Sequence, residues 1–254
     1  SFYEYMDLVL NDAENGFYST GRLKIGKDGD FCTSPSLSNH FARLLAIQVV
    51  DWFLDLEKAE TGSEFLSLVE IGPGEGSLSR DLIDAIFDIA PALINKIDLV
   101  LVELNNGMRR RQEKVVNNIK GVNCRWTNFE ELILKPVTGV VIANEVLDAM
   151  PVNIFYWDNG FGERYVDVVD GEFVWRDGKL SSDHLRKAVT SLPISQEQRY
   201  VSEVNLSIPG WIKSLSGCLS KGIMLLIDYG YARSDYYHTA RTAGTLMCHL
   251  QHHI

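Results

Sequence analysis

The stretch LVEIGPGEGSL, residues 68–78, decides the fold, because an apolar run meets three alternate glycines and then a helical pattern. The apolar run predicts a buried β-strand, and the apolar spacing after it predicts a helix. Glycines have no Cβ atom, so a ligand can approach this backbone closely, and the helix N-terminus offers free N–H groups. The stretch predicts either a ligand-binding turn or a tight turn that needs glycine only for packing.

Downstream of this turn, short apolar runs keep alternating with helical stretches, which is typical of a parallel sheet with crossover helices. We predict strands at 65–71, 97–103, 122–127, 139–144 and 223–228, and helices at 77–90, 106–119 and 204–220. The fold class is therefore α/β, with a doubly wound, mostly parallel sheet.

Three parts are predicted along the chain. Residues 1–60 form an N-terminal helical extension with a long loop, and residues 61–150 and 211–254 form the core. Residues 151–210 alternate as an antiparallel insertion, in which Asp170-Gly171 suits a hairpin turn. Since an α/β core does not need these aromatic strands, we expect a lid over the substrate or, alternatively, a decoration with its own small core.

Composition removes several classes of function. The 254 residues carry a formal net charge of -10, which would repel a nucleic acid backbone. Apolar runs are too short for a membrane span, and the four cysteines are too scattered for a disulfide framework. A reducing, cytoplasmic location is the default prediction. No metal is predicted, because no cysteine or acidic cluster accompanies His249, His252 and His253.

The glycine turn and a downstream carboxylate together indicate the ligand. The spacing is GxGxG, whereas the dinucleotide fingerprint GxGxxG needs glycine at the position of Ser77. Glu70 and Glu75 would also disfavour a pyrophosphate. Glu103 ends the second strand 27 residues past Gly76, where a carboxylate can accept both ribose hydroxyls. An adenosine ligand with a cationic, phosphate-free tail fits these residues, and S-adenosylmethionine has that chemistry.

Several stretches resemble one family. They are GDFCTSPSLSNHFARLLA (29–46), LVEIGPGEGSLSRDL (68–82), LVLVEL (99–104), VVIANEVLDAMPV (140–152) and LLIDYG (225–230). In order and along nearly the whole chain, they resemble the MidA-like family, which comprises bacterial proteins and the mitochondrial arginine methyltransferase needed for complex I assembly. The resemblance implies a Rossmann-like class I core that binds S-adenosylmethionine and methylates a protein side chain such as arginine.

Two features depart from that family. Ser36 stands where the family usually has glutamate after TSP. The class also ends in an antiparallel strand pair, which the 26 residues after Asp228 can hardly encode. We therefore expect a truncated C-terminus, low activity, and a tail that is mobile or pairs with a second copy, which would make a homodimer.

Candidate site residues follow the predicted strands. Glu145 and Asp148 come after the fourth strand, and their spacing would place both on one face of a helical turn, either to bind an arginine substrate or to cap the turn. We predict them as catalytic residues. The predicted cofactor-binding residues are Glu70, Gly72, Gly74, Gly76, Glu103, Asn144, Thr33 and Ser34.

Weaker assignments concern the surroundings of that site. The residues after the third strand would either lie near the adenine or form ordinary core; they are Trp126, Thr127 and Asn128. Asp30 belongs to a loop that would either close over the cofactor or start a helix. Glu203 is interpreted as a helix N-terminal charge rather than a substrate acid. The alternatives to a protein methyltransferase are a non-catalytic assembly factor of the same fold and an NAD-dependent oxidoreductase.

Overall fold

The structure is a computed structural model, and it describes residues 1–20, 33–59, 65–117, 119 and 121–248. The chain divides into two units. The parallel-sheet unit comprises the described residues of Phe17–Val146 and Gly210–Asp228, and the antiparallel-sheet unit comprises Ser1–Gly16, Leu147–Pro209 and Tyr229–Cys248.

Five parallel strands form the sheet of the first unit, in the order β3-β2-β1-β4-β9. They are β1 (Leu66–Ile71), β2 (Ile97–Val102), β3 (Asn123–Thr127), β4 (Val137–Asn144) and β9 (Leu219–Ile227). The central strand β1 is buried along its whole length, as its continuous apolar sequence predicts. Since β1 lies between β2 and β4, the chain reverses its winding direction there, and open α/β sheets bind ligands at such a point. The predicted doubly wound sheet is confirmed.

Helices cover both faces of this sheet. They are α2 (Ser34–Leu37), α3 (His40–Ala59), α4 (Ser77–Ile89), α5 (Asn106–Val116), α6 (Phe129–Leu134) and α8 (Ile208–Gly217), with a 3-10 helix at Pro91–Lys96. One face packs the apolar sides of α3 and α4 through residues such as Phe53 and Leu82, which are almost completely buried. The other face packs α8 through Leu215.

The second unit contains an antiparallel sheet in the order β7-β6-β5-β8. Its strands are β5 (Asn153–Trp157), β6 (Phe161–Val169), β7 (Glu172–Gly178) and β8 (Tyr200–Val204), and its helices are α1 (Phe2–Asn11), α7 (Asp183–Thr190) and α9 (Arg233–Tyr236). The sheet has its own core around Phe155 and Tyr200, which α7 covers through Leu185. The predicted antiparallel segment therefore has a small core of its own, and its role as a lid stays a prediction.

The unit boundaries differ from those that the sequence suggests. Residues 1–16 and 229–248 group with the antiparallel sheet, whereas the sequence interpretation assigned the latter to the core. Phe2 explains the first difference, because its ring contacts Trp175 at 5.4 Å. The described C-terminal residues are held by side chains of the same sheet, as shown next.

Glu203 is the residue that holds the C-terminal segment. Its buried carboxylate accepts hydrogen bonds from the backbone N–H of Thr245 at 2.9 Å and of Leu246 at 3.3 Å, and from the hydroxyl of Tyr236 at 3.3 Å. The interpretation of Glu203 as a helix N-terminal charge was wrong, because α8 begins only at Ile208 and Glu203 lies in β8. The expectation of a tail that is mobile or pairs with a second copy stays a prediction.

Candidate functional site

The glycine turn adopts a backbone that favours glycine at three positions. Gly72, Gly74 and Gly76 have φ angles of 62°, 52° and 85°, in the left-handed region that L-residues with a Cβ atom rarely adopt. A Cβ atom on Gly72 would also lie 3.1 Å from the Val146 side chain. Gly76 is the N-cap of α4, so the turn ends at a helix N-terminus, where the first N–H groups have no partner within the helix.

Glu103 follows β2 beside this turn, as predicted. One carboxylate oxygen, Oε1, accepts the backbone N–H of Asn105 at 2.9 Å, and Oε2 accepts a hydrogen bond from Gln112 Nε2, also at 2.9 Å. The backbone N–H of Leu104 also donates to this carboxylate, which leaves about one of its four acceptor positions for a ligand hydroxyl. Burial raises the pKa of the Glu103 carboxyl, which these hydrogen bonds partly oppose.

Gln112 connects the parts of the site that the sequence treats separately. This fully buried side chain of α5 donates from Nε2 to the Gly74 carbonyl at 2.8 Å as well as to Glu103. Its Oε1 accepts the indole N–H of Trp126, at the end of β3, at 2.8 Å. Every hydrogen-bonding group of the amide is therefore used, which fixes the glycine turn, the carboxylate and the indole relative to each other.

Sequence reasoning missed Gln112, although a signal was present. Met108, Gln112 and Val116 are spaced by four residues and are the buried positions of α5. A glutamine between two apolar residues on the same helix face needs buried hydrogen-bond partners. That pattern could have identified it.

Glu70 lies in β1, two residues before Gly72, and is buried. Its Oε2 accepts a hydrogen bond from the Ser79 hydroxyl in the first turn of α4. Burial raises the pKa of Glu70 to about 7, and the Ser79 hydrogen bonds oppose the shift. The contacts described here tie Glu70 to the strand–helix junction, and its predicted contact with a cofactor stays a prediction.

The other residues near the third strand have structural contacts. Asn128 caps α6, because its Oδ1 accepts the Glu131 N–H at 2.8 Å. Thr127 is buried and donates to the Glu131 carboxylate at 2.6 Å. Of the three residues considered for the adenine, Trp126 is connected to Glu103 by hydrogen bonds through Gln112.

The end of β4 carries a second unusual backbone. Asn144 is its last residue, and Glu145 has a left-handed φ of 52° while its N–H bonds to the Ile227 carbonyl at 2.8 Å. The next amide, that of Val146, donates to Asp228 Oδ2 at 3.1 Å. Such a conformation costs a non-glycine residue about 1 kcal/mol or more and often occurs at functional sites.

The predicted helical turn at Glu145 is not formed. The left-handed φ of Glu145 breaks any helix there, and the chain instead makes a turn in which Met150 N–H bonds to the Leu147 carbonyl at 3.2 Å. The prediction that Glu145 and Asp148 lie on one face of a helical turn was therefore wrong. Glu145 lies in the parallel-sheet unit and the exposed Asp148 in the antiparallel-sheet unit, and their catalytic roles stay predictions.

The loop before α2 is described only in part. Thr33 precedes α2, and its backbone N–H bonds to the Ser36 hydroxyl at 3.0 Å. Ser36, the residue that departs from the family, therefore stabilises the helix start. Ser34 opens α2. Asp30 and the histidines His249, His252 and His253 lie outside the described residues.

No group of three or more His, Cys, Asp or Glu side chains within the described residues could hold a metal ion. No helix in the described part of the chain is long and apolar enough to cross a membrane.

Comparison with known proteins gives the class of this chain. Residues 44–254 match the profile of a family described as "Putative S-adenosyl-L-methionine-dependent methyltransferase". Since the match covers most of the sequence, the chain belongs to this family. The glycine turn and Glu103 lie within the matched region, and the resemblance inferred from the sequence is confirmed.

Individual relatives agree with the family. The chain is 27% identical to a Caenorhabditis elegans protein named as the mitochondrial protein arginine methyltransferase NDUFAF7 homolog, over 94% of this chain and 60% of that protein. It is 36% identical to the Xenopus tropicalis protein arginine methyltransferase NDUFAF7, over 66% of this chain and 43% of that protein. The chain thus spans between 43% and 60% of the length of these relatives.

A solved structure supports the fold along the whole chain. A COG1565 superfamily member from Burkholderia thailandensis, crystallised with S-adenosyl-homocysteine, superposes with a TM-score of 0.84 at 31% identity. The match covers 99% of this chain and 64% of that protein. The Rossmann-like fold of the methyltransferases is therefore confirmed for this sequence.

Proposed function

We propose that this chain binds S-adenosylmethionine at the glycine turn and Glu103 and transfers its methyl group to a protein side chain, with arginine as the substrate residue. The observation that carries the proposal is the Gln112 network, which holds the carboxylate of Glu103 beside the left-handed glycines. Support also comes from the related Burkholderia protein, which was crystallised with S-adenosyl-homocysteine.

The proposed binding mode uses each polar group of this site. A ribose hydroxyl donates to the remaining acceptor position of the Glu103 carboxylate, and Gly72 and Gly74, which have no Cβ atom, let the amino-acid tail approach the backbone. The adenine then lies towards Trp126. Glu70, Asn144, Thr33 and Ser34 are proposed to complete the cofactor site.

The transfer itself requires geometry more than covalent help. A nitrogen lone pair of the substrate would attack the methyl carbon as the carbon–sulfur bond breaks, so the sulfonium would become the neutral thioether of S-adenosylhomocysteine and the nitrogen would lose a proton to solvent. A carboxylate that holds the guanidinium can orient the attacking nitrogen. We propose this role for Glu145 and, separately, for Asp148.

Calorimetry with S-adenosylhomocysteine tests the cofactor site. Glu103→Ala is expected to weaken binding by about 1 to 3 kcal/mol, because charge-assisted hydrogen bonds are lost. Glu113→Ala, on the same helix as Gln112 but exposed, is the matched control. Binding of NADH without binding of S-adenosylhomocysteine would overturn the proposal.

Labelled S-adenosylmethionine tests the activity and the substrate. Incubation with arginine-containing and lysine-substituted peptides, followed by mass spectrometry, identifies the methylated atom. Glu145→Gln and Asp148→Asn are expected to keep cofactor affinity and lose transfer. A chain that binds the cofactor but methylates nothing would instead support the assembly-factor alternative.

The partner and the location of this protein are also proposed. A protein substrate agrees with the names of the arginine methyltransferase relatives. The homodimer is developed below. A cytoplasmic location was predicted from the cysteines, whereas the relatives named above are called mitochondrial.

A further inference from the structure

Strands β7 and β8 form the two edges of the antiparallel sheet. The β8 edge is partly covered by the C-terminal segment. At the β8 edge, Val201 donates to the Thr242 carbonyl at 3.0 Å and forms a bridge with Ala243. At the β7 edge, no described strand pairs beyond Glu172–Gly178. The outer N–H and C=O groups of β7 are therefore available for another strand.

β7 lacks several of the features that usually protect such an edge, although three of its seven side chains are charged. It contains no proline or lysine, and its register with β6 runs without a bulge from Glu172 to Gly178. Its large apolar side chains are exposed, with Phe173 at 68% and Trp175 at 54% of their possible surface. An edge strand of this length with exposed aromatic side chains favours pairing with a further strand.

The sequence of β7 is complementary to itself. When two copies pair antiparallel with Val174 opposite Val174, Glu172 lies opposite Arg176 twice and Phe173 lies opposite Trp175 twice. Opposite charges and aromatic rings at directly facing positions stabilise antiparallel pairs. A shift of one residue in register would replace both kinds of pair with mismatches, so the sequence favours one register.

The local structure keeps these side chains in position. On one face of the sheet, the rings of Phe173 and Trp175 contact Tyr5 at 5.2 Å and Phe2 at 5.4 Å on α1. On the other face, Arg176 pairs with Asp167 of β6 at 2.7 Å and remains 65% exposed. A second carboxylate could therefore approach Arg176 from the open side.

We propose that β7 pairs antiparallel with β7 of a second copy of this chain, around a two-fold axis at Val174. The two antiparallel sheets become one continuous sheet across the axis. This axis is perpendicular to the sheet, so the aromatic faces of both copies lie on the same side. The proposal does not depend on methyl transfer.

Charge reversal tests the register. Sedimentation analysis of the 254-residue chain is expected to show a dimer. Glu172→Arg and Arg176→Glu should each weaken self-association by about tenfold or more, because like charges then face each other twice. An equimolar mixture of the two variants should dimerise again, since each arginine then faces a glutamate. A monomeric parent chain, or a mixture that stays monomeric, would overturn the proposal.

Cysteine cross-linking tests the axis directly in a chain with Cys32 and Cys248 replaced by serine. Facing Cα atoms in an antiparallel pair are about 4.5–5.5 Å apart, which a disulfide spans. Val174→Cys is therefore expected to form a covalent dimer on mild oxidation. Glu172→Cys is the control, because its two copies would be about 13 Å apart along the strands. Efficient cross-linking at position 172, or none at 174, would show a different interface or none.

Discussion

Gln112→Glu is the substitution that tests the site most sharply, because it keeps the shape of the side chain and changes one donor group. In the parent protein, Nε2 donates to Glu103 Oε2 at 2.9 Å and to the Gly74 carbonyl at 2.8 Å. A glutamate there would present an oxygen to two acceptors. Only the contact from the Trp126 indole to Oε1 would survive unchanged.

The expected loss can be worked out from these contacts. Two carboxylates about 4 Å apart repel by roughly 1 kcal/mol in water and by about 4 kcal/mol at an effective dielectric constant of 20. The lost donor bond to a charged group adds about 1.5 to 3 kcal/mol. Part of the repulsion is relieved when Glu103 and the new carboxylate at position 112 share a proton. We therefore expect the affinity for S-adenosylhomocysteine at about pH 8 to fall by about 10- to 100-fold, or 1.4 to 2.7 kcal/mol.

The pH dependence distinguishes this mechanism from general damage. At about pH 5.5 a proton shared by the two carboxyls restores a donor to Glu103, so the affinity of the variant should partly recover. The parent should show the opposite trend, because burial raises the pKa of Glu103 and protonation removes an acceptor for the ribose.

Calorimetry from about pH 5.5 to 8 provides the measurement. Gln198→Glu is the matched control, since Gln198 is exposed and donates to the Thr239 carbonyl in the antiparallel-sheet unit. Parent-like affinity of Gln112→Glu at pH 8 would refute the reasoning.

Three further predictions concern stability. Burial raises the pKa of Glu70 to about 7 from 4.5, so between these pH values the native state keeps a proton that the unfolded chain releases. The unfolding free energy should therefore fall as the pH rises through this range, by up to about 1.4 kcal/mol per pH unit. Glu70→Gln should flatten this pH dependence in urea titrations, and an unchanged slope would argue against it. Glu145→Gly should be more stable than Glu145→Ala by about 1 kcal/mol, because only glycine tolerates the φ of 52° without cost; equal midpoints would show that the backbone is relaxed. Gly244→Ala should destabilise the C-terminal segment by about 2 kcal/mol or more and expose it to proteolysis, because its Cβ would lie 2.1 Å from Glu203 Oε1; Gly230→Ala, with nothing within 4 Å, is the control, and equal cleavage rates would contradict this account.

The parallel core could be predicted because its signals are local. The strand, glycine turn and helix at residues 68–78 are specified by adjacent residues, and the carboxylate at the end of β2 follows from sheet geometry. β9 begins at Leu219, whereas the sequence predicted a start at residue 223. The prediction missed residues 220–222 because they are not apolar, and an edge strand such as β9 does not require an apolar run there.

The remaining errors come from contacts distant in sequence or from short-range capping. Asn205 accepts the N–H groups of Ser207 and Ile208, so α8 begins later than the periodicity suggests and Glu203 remains in a strand. The left-handed Glu145 could not be foreseen, because Asp228 and Ile227, 82 residues downstream, fix the backbone there. No local pattern records such partners.

The contact between Phe2 and Trp175 has a consequence for synthesis on the ribosome. The two rings are 5.4 Å apart but separated by 173 positions in sequence, and the antiparallel-sheet unit draws on three separate segments of the chain. At a synthesis rate of about 5 to 20 residues per second, the ribosome completes β7 roughly 10 to 35 seconds after α1. During that interval the apolar face of α1 is exposed to other nascent chains and to chaperones, so the yield of folded protein should depend on translation speed between α1 and β7.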